Sequence, residues 1–327
     1  MKTTARIHAI LPRRGVNAVV FRRGPSASWA VIGWDLAHDT FTLGQWLKGR
    51  IYPFRSDLSP KGTYLLYFAA KYNCPNGVEK FVEEKVTERV GELYDGLSWN
   101  GFRKYQRQRE EAEAAVRKEF AGEIRKLRYT RDYTDRSWTA ISRAPYLKAL
   151  DLWFNGSGWN GGGKFIDEKT VWINKPLPIR GEHFHHQQSR RFKELAEPPV
   201  PEWETQNGGE CPGIYFYRLL RDGWQENKKW KGRAFCWEKL LKDGLVLRKY
   251  FDYLNGYCET HAVLDAAGKP VLDGKDWEWA DLDAARKRIV YAARGAIFAI
   301  SLRGTKLEPR LLRDFNDMKF EAIPAPY

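Results

Sequence analysis

A chain of 327 residues with 43% apolar and 14% aromatic residues can bury a sizeable core, which excludes a wholly disordered protein. Its 55 Lys and Arg against 41 Asp and Glu leave a net charge of +14, which favours acidic partners: nucleic acid, an anionic membrane surface or an acidic protein. The opening residues lack the apolar core of a secretory signal, no run reaches about 18 apolar residues, and the four cysteines follow no disulfide framework, so a soluble cytoplasmic protein with free thiols and no membrane partner is expected.

Taken in chain order, residues 1–75 carry eleven Lys and Arg and only Asp35, Asp39 and Asp57 as acids, so the excess charge is concentrated there. Short runs rich in Val, Ile, Tyr, Phe and Trp at 18–21, 29–34 and 64–69, separated by Gly, Pro, Asp and Lys turns, predict strands. Arg13-Arg14-Gly15 and Arg22-Arg23-Gly24 bracket the first of them and would mark opposite ends of one hairpin arm.

Next, Val78, Val82, Val86, Val90 and Leu93 with Phe81, and then Phe102, Tyr105, Ala112, Val116, Phe120, Ile124 and Leu127, recur at the period of an amphipathic helix, with a break at 96–101. The spacing predicts a helical hairpin inserted over 75–136, after a first sheet region at 1–74 and before a third region at 137–327. Fourteen basic and thirteen acidic residues over 76–136 make this insertion nearly neutral, and Glu113 with Arg117 has the i, i+4 spacing of an exposed pair. Beyond it, runs at 169–174, 214–219, 262–271 and 289–300 predict strands again, so the fold class is mainly β with antiparallel sheets.

An internal echo refines this. Asp57-Leu-Ser-Pro-Lys-Gly-Thr-Tyr-Leu-Leu-Tyr-Phe-Ala69 aligns without gaps to Asp281-Leu-Asp-Ala-Ala-Arg-Lys-Arg-Ile-Val-Tyr-Ala-Ala293, and a weaker third copy lies at 165–174. With the preceding Ile32-Gly-Trp-Asp-Leu-Ala-His-Asp-Thr-Phe41, the unit resembles the β-propeller repeats of the TolB-like and WD40-like kind, in which a Ser-Pro-Asp-Gly turn enters a strand; Lys61 stands where that Asp usually lies. The phrase is also similar to one carried by bacterial proteins from which no activity transfers. The resemblance implies antiparallel β-propeller-like blades, about six at a repeat of about 40–45 residues, interrupted by the helical hairpin. It does not specify a function.

The chain offers four candidate kinds of site. Gly158-Trp-Asn-Gly-Gly-Gly163-Lys164-Phe165 fits the spacing of a phosphate-binding loop, but Phe165 stands where a hydroxyl must hold the metal and the residues after it read as strand, so an inter-strand loop is expected. His183-Phe-His185-His186 with Cys258 and His261 offers zinc-ligand types without zinc spacing, next to Arg180, Arg190 and Arg191. Nucleophile motifs are missing, so no catalytic residue, cofactor or metal is expected. The remaining signal is basic and aromatic interleaving, which selects Arg13, Arg14, Arg22, Arg23, Arg103, Lys104, Arg107, Arg109, Arg125, Lys126, Arg128 and Arg131 as contacts for nucleic acid or an acidic partner. Of the tryptophans, Trp29, Trp34, Trp153, Trp172, Trp277 and Trp279 are expected in the core, and Trp99, Trp203, Trp224 and Trp230 as anchors for a partner.

The expected function is a non-catalytic binding or scaffold subunit of a larger assembly, meeting a protein partner through a basic N-terminal face and the helical hairpin. The alternatives are a nucleic-acid-binding accessory protein contacting RNA or DNA, and an enzyme with its site in a propeller mouth.

Overall fold

The computed structural model describes residues 4–24, 28–71, 77–91, 99–127, 137–155, 160–175, 186–187, 191–196, 211–252, 257–304 and 306–327. These form five sheets that follow one another along the chain, and the pairing is antiparallel with one exception. The first is a meander of β1 (Arg6–Ile10), β2 (Asn17–Arg23), β3 (Ser28–Asp35) and β4 (Thr40–Lys48). The second holds β5 (Arg50–Ile51), β6 (Asp57–Leu58), β7 (Tyr64–Ala70), β8 (Ser137–Arg143) and β9 (Ala149–Phe154), with β12 (His186–Gln187) at its edge. The third is β10 (Gly163–Phe165), β11 (Thr170–Ile173) and β13 (Lys193–Leu195), the last parallel to β11. The fourth runs β14 (Gln225–Glu226), β15 (Phe235–Leu240), β16 (Val246–Asp252), β17 (Cys258–Leu264) and β18 (Pro270–Gly274), and the fifth β19 (Trp279–Asp283), β20 (Arg288–Ala293), β21 (Ala296–Ser301) and β22 (Pro309–Asp314).

Apolar runs continuous in sequence become two-sided strands because successive side chains point to opposite faces. In the first sheet Val19, Phe21 and Val31 enter a core shared with Leu65, Tyr67 and Ala140 of the second sheet. The alternate positions Ala18, Val20, Ala30, Ile32 and Trp34 enter a different core, shared with Trp279, Val290 and Ile297 of the fifth. The last sheet therefore packs on the first. Leu66 and Ile141 turn to Phe165 and Val171 of the third sheet, and Ile289, Tyr291 and Ile300 turn to Trp237, Leu247 and Val263 of the fourth. A strand buried on both faces contributes about 1.5–3 kcal/mol per large apolar side chain on each of them.

The echo read in the sequence is preserved in strand register. Asp57 pairs with Leu66 and Leu58 with Leu65, and at the equivalent places Asp281 pairs with Val290 and Leu282 with Ile289.

Between β7 and β8 the chain forms α1 (Gly77–Val90), α2 (Trp99–Glu119) and α3 (Ala121–Leu127). Val78, Val82, Val86, Val116 and Ile124 make a core composed of helix residues alone. The second predicted helix divides at Phe120, although Phe120 and Ile124 continue the ladder by donating to Val116 O and Phe120 O at 2.9 Å each. The helices leave and re-enter neighbouring strands of one sheet: Ala70 and Ser137 are cross-strand partners.

Two strand expectations change. Residues 214–219 are not a strand but lie in α4 (Cys211–Arg221). Pro212 in the first turn suits a helix start, and Tyr215, Phe216 and Leu219 on one face are buried among aromatic residues of the fourth sheet, which outweighs the β-propensity of Ile-Tyr-Phe-Tyr. The run 289–300 is a hairpin of β20 and β21, closed by Arg294 and Gly295 at φ 53° and 78°, the left-handed pair that a tight two-residue hairpin needs. Among the described residues no helix is long and apolar enough to cross a membrane.

Candidate functional site

Helix α4 lies between the third and fourth sheets in sequence and turns a polar stripe, Tyr215, Arg218 and Arg221, onto three other parts of the fold. Arg221 grips Asp57 through two parallel bonds of 2.6 and 2.9 Å, and donates to Phe165 O at 3.1 Å. Burial would push the Asp57 carboxyl up, but the Arg221 guanidinium holds it below the usual carboxylate range, and the Phe165 N–H adds to this at 2.8 Å. Arg218 donates to Pro53 O at 2.9 Å, to Ser56 O, and to His8 Nε2 at 3.2 Å. Because His8 Nε2 accepts, the neutral ring carries its proton on Nδ1; burial, then the Arg218 charge, keep its pKa well below 6.5.

Tyr215 donates to the Glu259 carboxylate, while Lys249 Nζ donates to Tyr215 Oη at 2.8 Å and to both Glu259 oxygens at 3.0 and 3.1 Å. Burial lowers the Lys249 pKa against the pull of Glu259, and raises that of Tyr215. His261 donates from Nδ1 to Trp277 O at 3.0 Å, and burial, followed by the Lys249 charge, keeps it neutral. His8, Tyr215, Lys249, Glu259 and His261 are thus buried, and each makes at least one hydrogen bond within the protein.

Beside this network opens a pocket of about 330 Å³ whose wall includes His8, Phe54 and Glu259. His8 meets the Phe54 ring edge-on at 5.0 Å. The Glu259 side chain is fully buried and held by Lys249, so it closes the floor rather than projecting into the space. At the rim stand the exposed Arg6, Arg23 and Arg50. Arg6 and Arg23 are direct cross-strand partners. The Arg23 guanidinium sits 5.7 Å over Trp29 and that of Arg50 4.6 Å over Tyr52. Burial, then the charges of Arg50 and Arg6, lowers the Arg23 pKa. Glu278, also in the wall, accepts the Ile7 N–H at 2.9 Å and has its pKa raised by burial.

The basic residues selected from sequence are dispersed. Arg13 donates to Phe165 O and Ile166 O at 3.2 and 3.0 Å, tying the β1–β2 turn to the third sheet, whereas Arg14 is exposed. Arg22 is buried under Trp46 and bonds Phe315 O and Asn316 O at 3.1 and 3.2 Å, so its donors serve the fold. Of the pair, only Arg23 reaches the pocket. On the helices, Arg107 lies 3.5 Å from Glu111 and Arg109 is paired with Glu83, while Arg103, Lys104 and Arg125 are exposed. Arg128, Arg131 and the Lys126 side chain lie outside the described residues.

The glycine motif serves packing: a Cβ on Gly161, at φ +126°, would meet the Phe68 ring at 2.2 Å, and one on Gly162, at φ +83°, the Arg55 carbonyl oxygen at 2.2 Å. Lys164 is buried with Nζ 3.8 Å over the Tyr217 ring. His183 and His185 lie outside the described residues, and among those described no group of three His, Cys, Asp or Glu side chains is placed to hold a metal ion. Trp224, expected to anchor a partner, is a core residue beneath Lys239 and Lys249, each 4.9 Å from its ring. Trp230 is 40% exposed and tilts against Tyr250 at 5.0 Å. Trp99 and Trp203 have no described side chain.

Sequence reasoning did not select Arg6, Arg50 or Glu278. The only signal for Arg6 is its register opposite Arg23, which requires the length of the β1–β2 turn.

No protein-family model matches the chain, and no curated protein matches it. A solved structure of prolyl endopeptidases, from work on inter-domain dynamics in catalysis and specificity, is similar at 10% identity over 94% of this chain, with a TM-score of 0.24. The chain spans 42% of that protein's length.

Proposed function

We propose that the chain is a non-catalytic binding and scaffold protein built as a β-propeller-like ring, with five sheets as blades and the helical insertion as an accessory surface for a protein partner in a larger assembly. The observation that carries the non-catalytic reading is the state of the acid–base groups. His8, Tyr215, Lys249, Glu259 and His261 are buried, and their hydrogen bonds run to each other and to the backbone. Such a network orients sheets and commits these five side chains to structural contacts. Packing of the first sheet on the second, the second on the third, the fourth on the fifth and the fifth on the first, with α4 between the third and the fourth, supports the ring.

The insertion supports the scaffold part because its core is its own and its ends are adjacent. Replacing 71–136 by an Asn-Gly turn should therefore leave a folded, thermally cooperative protein that no longer co-purifies with the partner held by the intact chain. Loss of folding would reject the accessory role. The nucleic-acid reading keeps Arg14, Lys104 and Arg125 as exposed cations. If it holds, nuclease treatment during purification removes the partner, and affinity for RNA or DNA falls steeply with salt.

A further inference from the structure

We propose that the pocket framed by Arg6, Arg23 and Arg50 binds a small organic phosphomonoester, its phosphate held by the three guanidinium groups and a flat apolar body resting against Tyr52 and Phe54. The site goes beyond the scaffold role and does not depend on it.

Like charges directly opposite on antiparallel strands destabilise a sheet, and Arg6 faces Arg23 in the β1–β2 register. A third guanidinium, Arg50, stands at the same rim. Among the described residues no carboxylate lies within 4.0 Å of any of the three, whereas Arg221, Lys239, Lys249 and Arg288 each have an acid within that distance. The half-buried carboxylate in the wall, Glu278, already accepts the Ile7 N–H and feels the Arg6 charge. Three guanidiniums against one committed carboxylate leave an unmet demand for a multiply charged anion.

The chemistry of that anion follows from the donors. Guanidinium forks match the oxygens of phosphate in pairs, and a dianion with three oxygens can engage three forks where a single carboxylate engages one fully. Stacking on Trp29 and Tyr52 fixes Arg23 and Arg50 before a ligand arrives, which reduces the entropy lost on binding. The volume, about 330 Å³, suits a small molecule and not a polymer. Tyr52 and Phe54, both half-buried in the wall, give an apolar body a surface beside the charge.

The test is titration calorimetry of the full chain in phosphate-free buffer with phenyl phosphate, inorganic phosphate, benzoate and phenol as probes. Phenyl phosphate should bind saturably and more tightly than the other three, and the Arg23→Gln/Arg50→Gln variant should weaken it by about tenfold or more. Arg6→Gln, at an exposed position, should keep or raise the thermal midpoint without phosphate and lose the rise that phenyl phosphate gives the native protein. Absence of saturable binding to the folded native protein, equal binding by the double variant, or tighter binding of benzoate would each overturn the proposal.

Discussion

Ion pairs in the helical insertion, such as Arg89 with Glu119 and Arg109 with Glu83, have both partners a third or more exposed. Two pairs among the sheets are buried: Asp57 is fully buried and Arg221 is 11% exposed, and Lys249 and Glu259 are 2% and 0% exposed. The first kind decorates a surface that already has a small valine core; of the second, Asp57–Arg221 ties α4 to the second sheet and Lys249–Glu259 ties neighbouring strands of the fourth. A surface pair can be lost one partner at a time, whereas a buried pair reduced to one partner strands a charge away from water.

The largest expected effect tests the buried side of this contrast. Asp57→Ala should destabilise the protein by about 3–5 kcal/mol in urea unfolding, and Asp57→Ala combined with Arg221→Leu should recover much of the loss because no orphan charge remains. A loss under about 1 kcal/mol would erase the distinction between the two regions.

Acid should act next. His8 and His261 have folded pKa values well below 6.5, from burial first and then from Arg218 or Lys249, so the unfolded chain takes up protons that the folded one refuses. Stability should therefore fall as pH drops below about 6.5, by about 1.4 kcal/mol per pH unit for each histidine, until the folded pKa is reached. His8→Gln keeps an acceptor for Arg218 and should remove one histidine's share of the slope in pH-dependent urea titrations. An unchanged slope would mean that His8 titrates normally in the fold.

Smaller effects sharpen the comparison. Asp39 accepts from Arg288 at 2.7 and 2.8 Å and from Arg310 at 2.9 Å, binding the first sheet to the last. Asp39→Ala should cost about 1–3 kcal/mol, since Arg288 keeps Asp283 as a partner at 2.9 Å. Glu83→Ala, which removes the partner of Arg109 on the insertion, should cost under about 1 kcal/mol by thermal unfolding and leave the sheets' unfolding unchanged. A cost as large as that at Asp39 would show that the insertion is coupled to the sheets.

Elements that depend on local pattern were legible from residues alone. The two-sided runs at 18–21, 29–34 and 64–69 lie within β2, β3 and β7, and the valine stripe 78-82-86 forms the helical core. The strand expectation at 214–219 failed because Tyr215 and Phe216 fit a strand as well as a helix; Arg218 and Arg221, one helical turn apart, were the quieter cue that polar partners awaited on one face. The candidate site was less legible than the fold. Doubled arginines drew attention to Arg22 and Arg23 together, yet alternation along β2 sends Arg22 under Trp46 and Arg23 to the pocket.

What the sequence determined by itself is the alternation of apolar residues, the helical period of the insertion, and the repeated turn-and-strand phrase, because each is set by neighbours a few positions apart. Tertiary structure alone decided that Arg6, Arg23 and Arg50 share one rim, that α4 joins Asp57 to the third sheet, and that Glu259 is held by Lys249 and Tyr215. Those residues lie from ten to more than a hundred positions apart, and the forces that bring them together, sheet packing and the need of buried charges for partners, have no short-range signature.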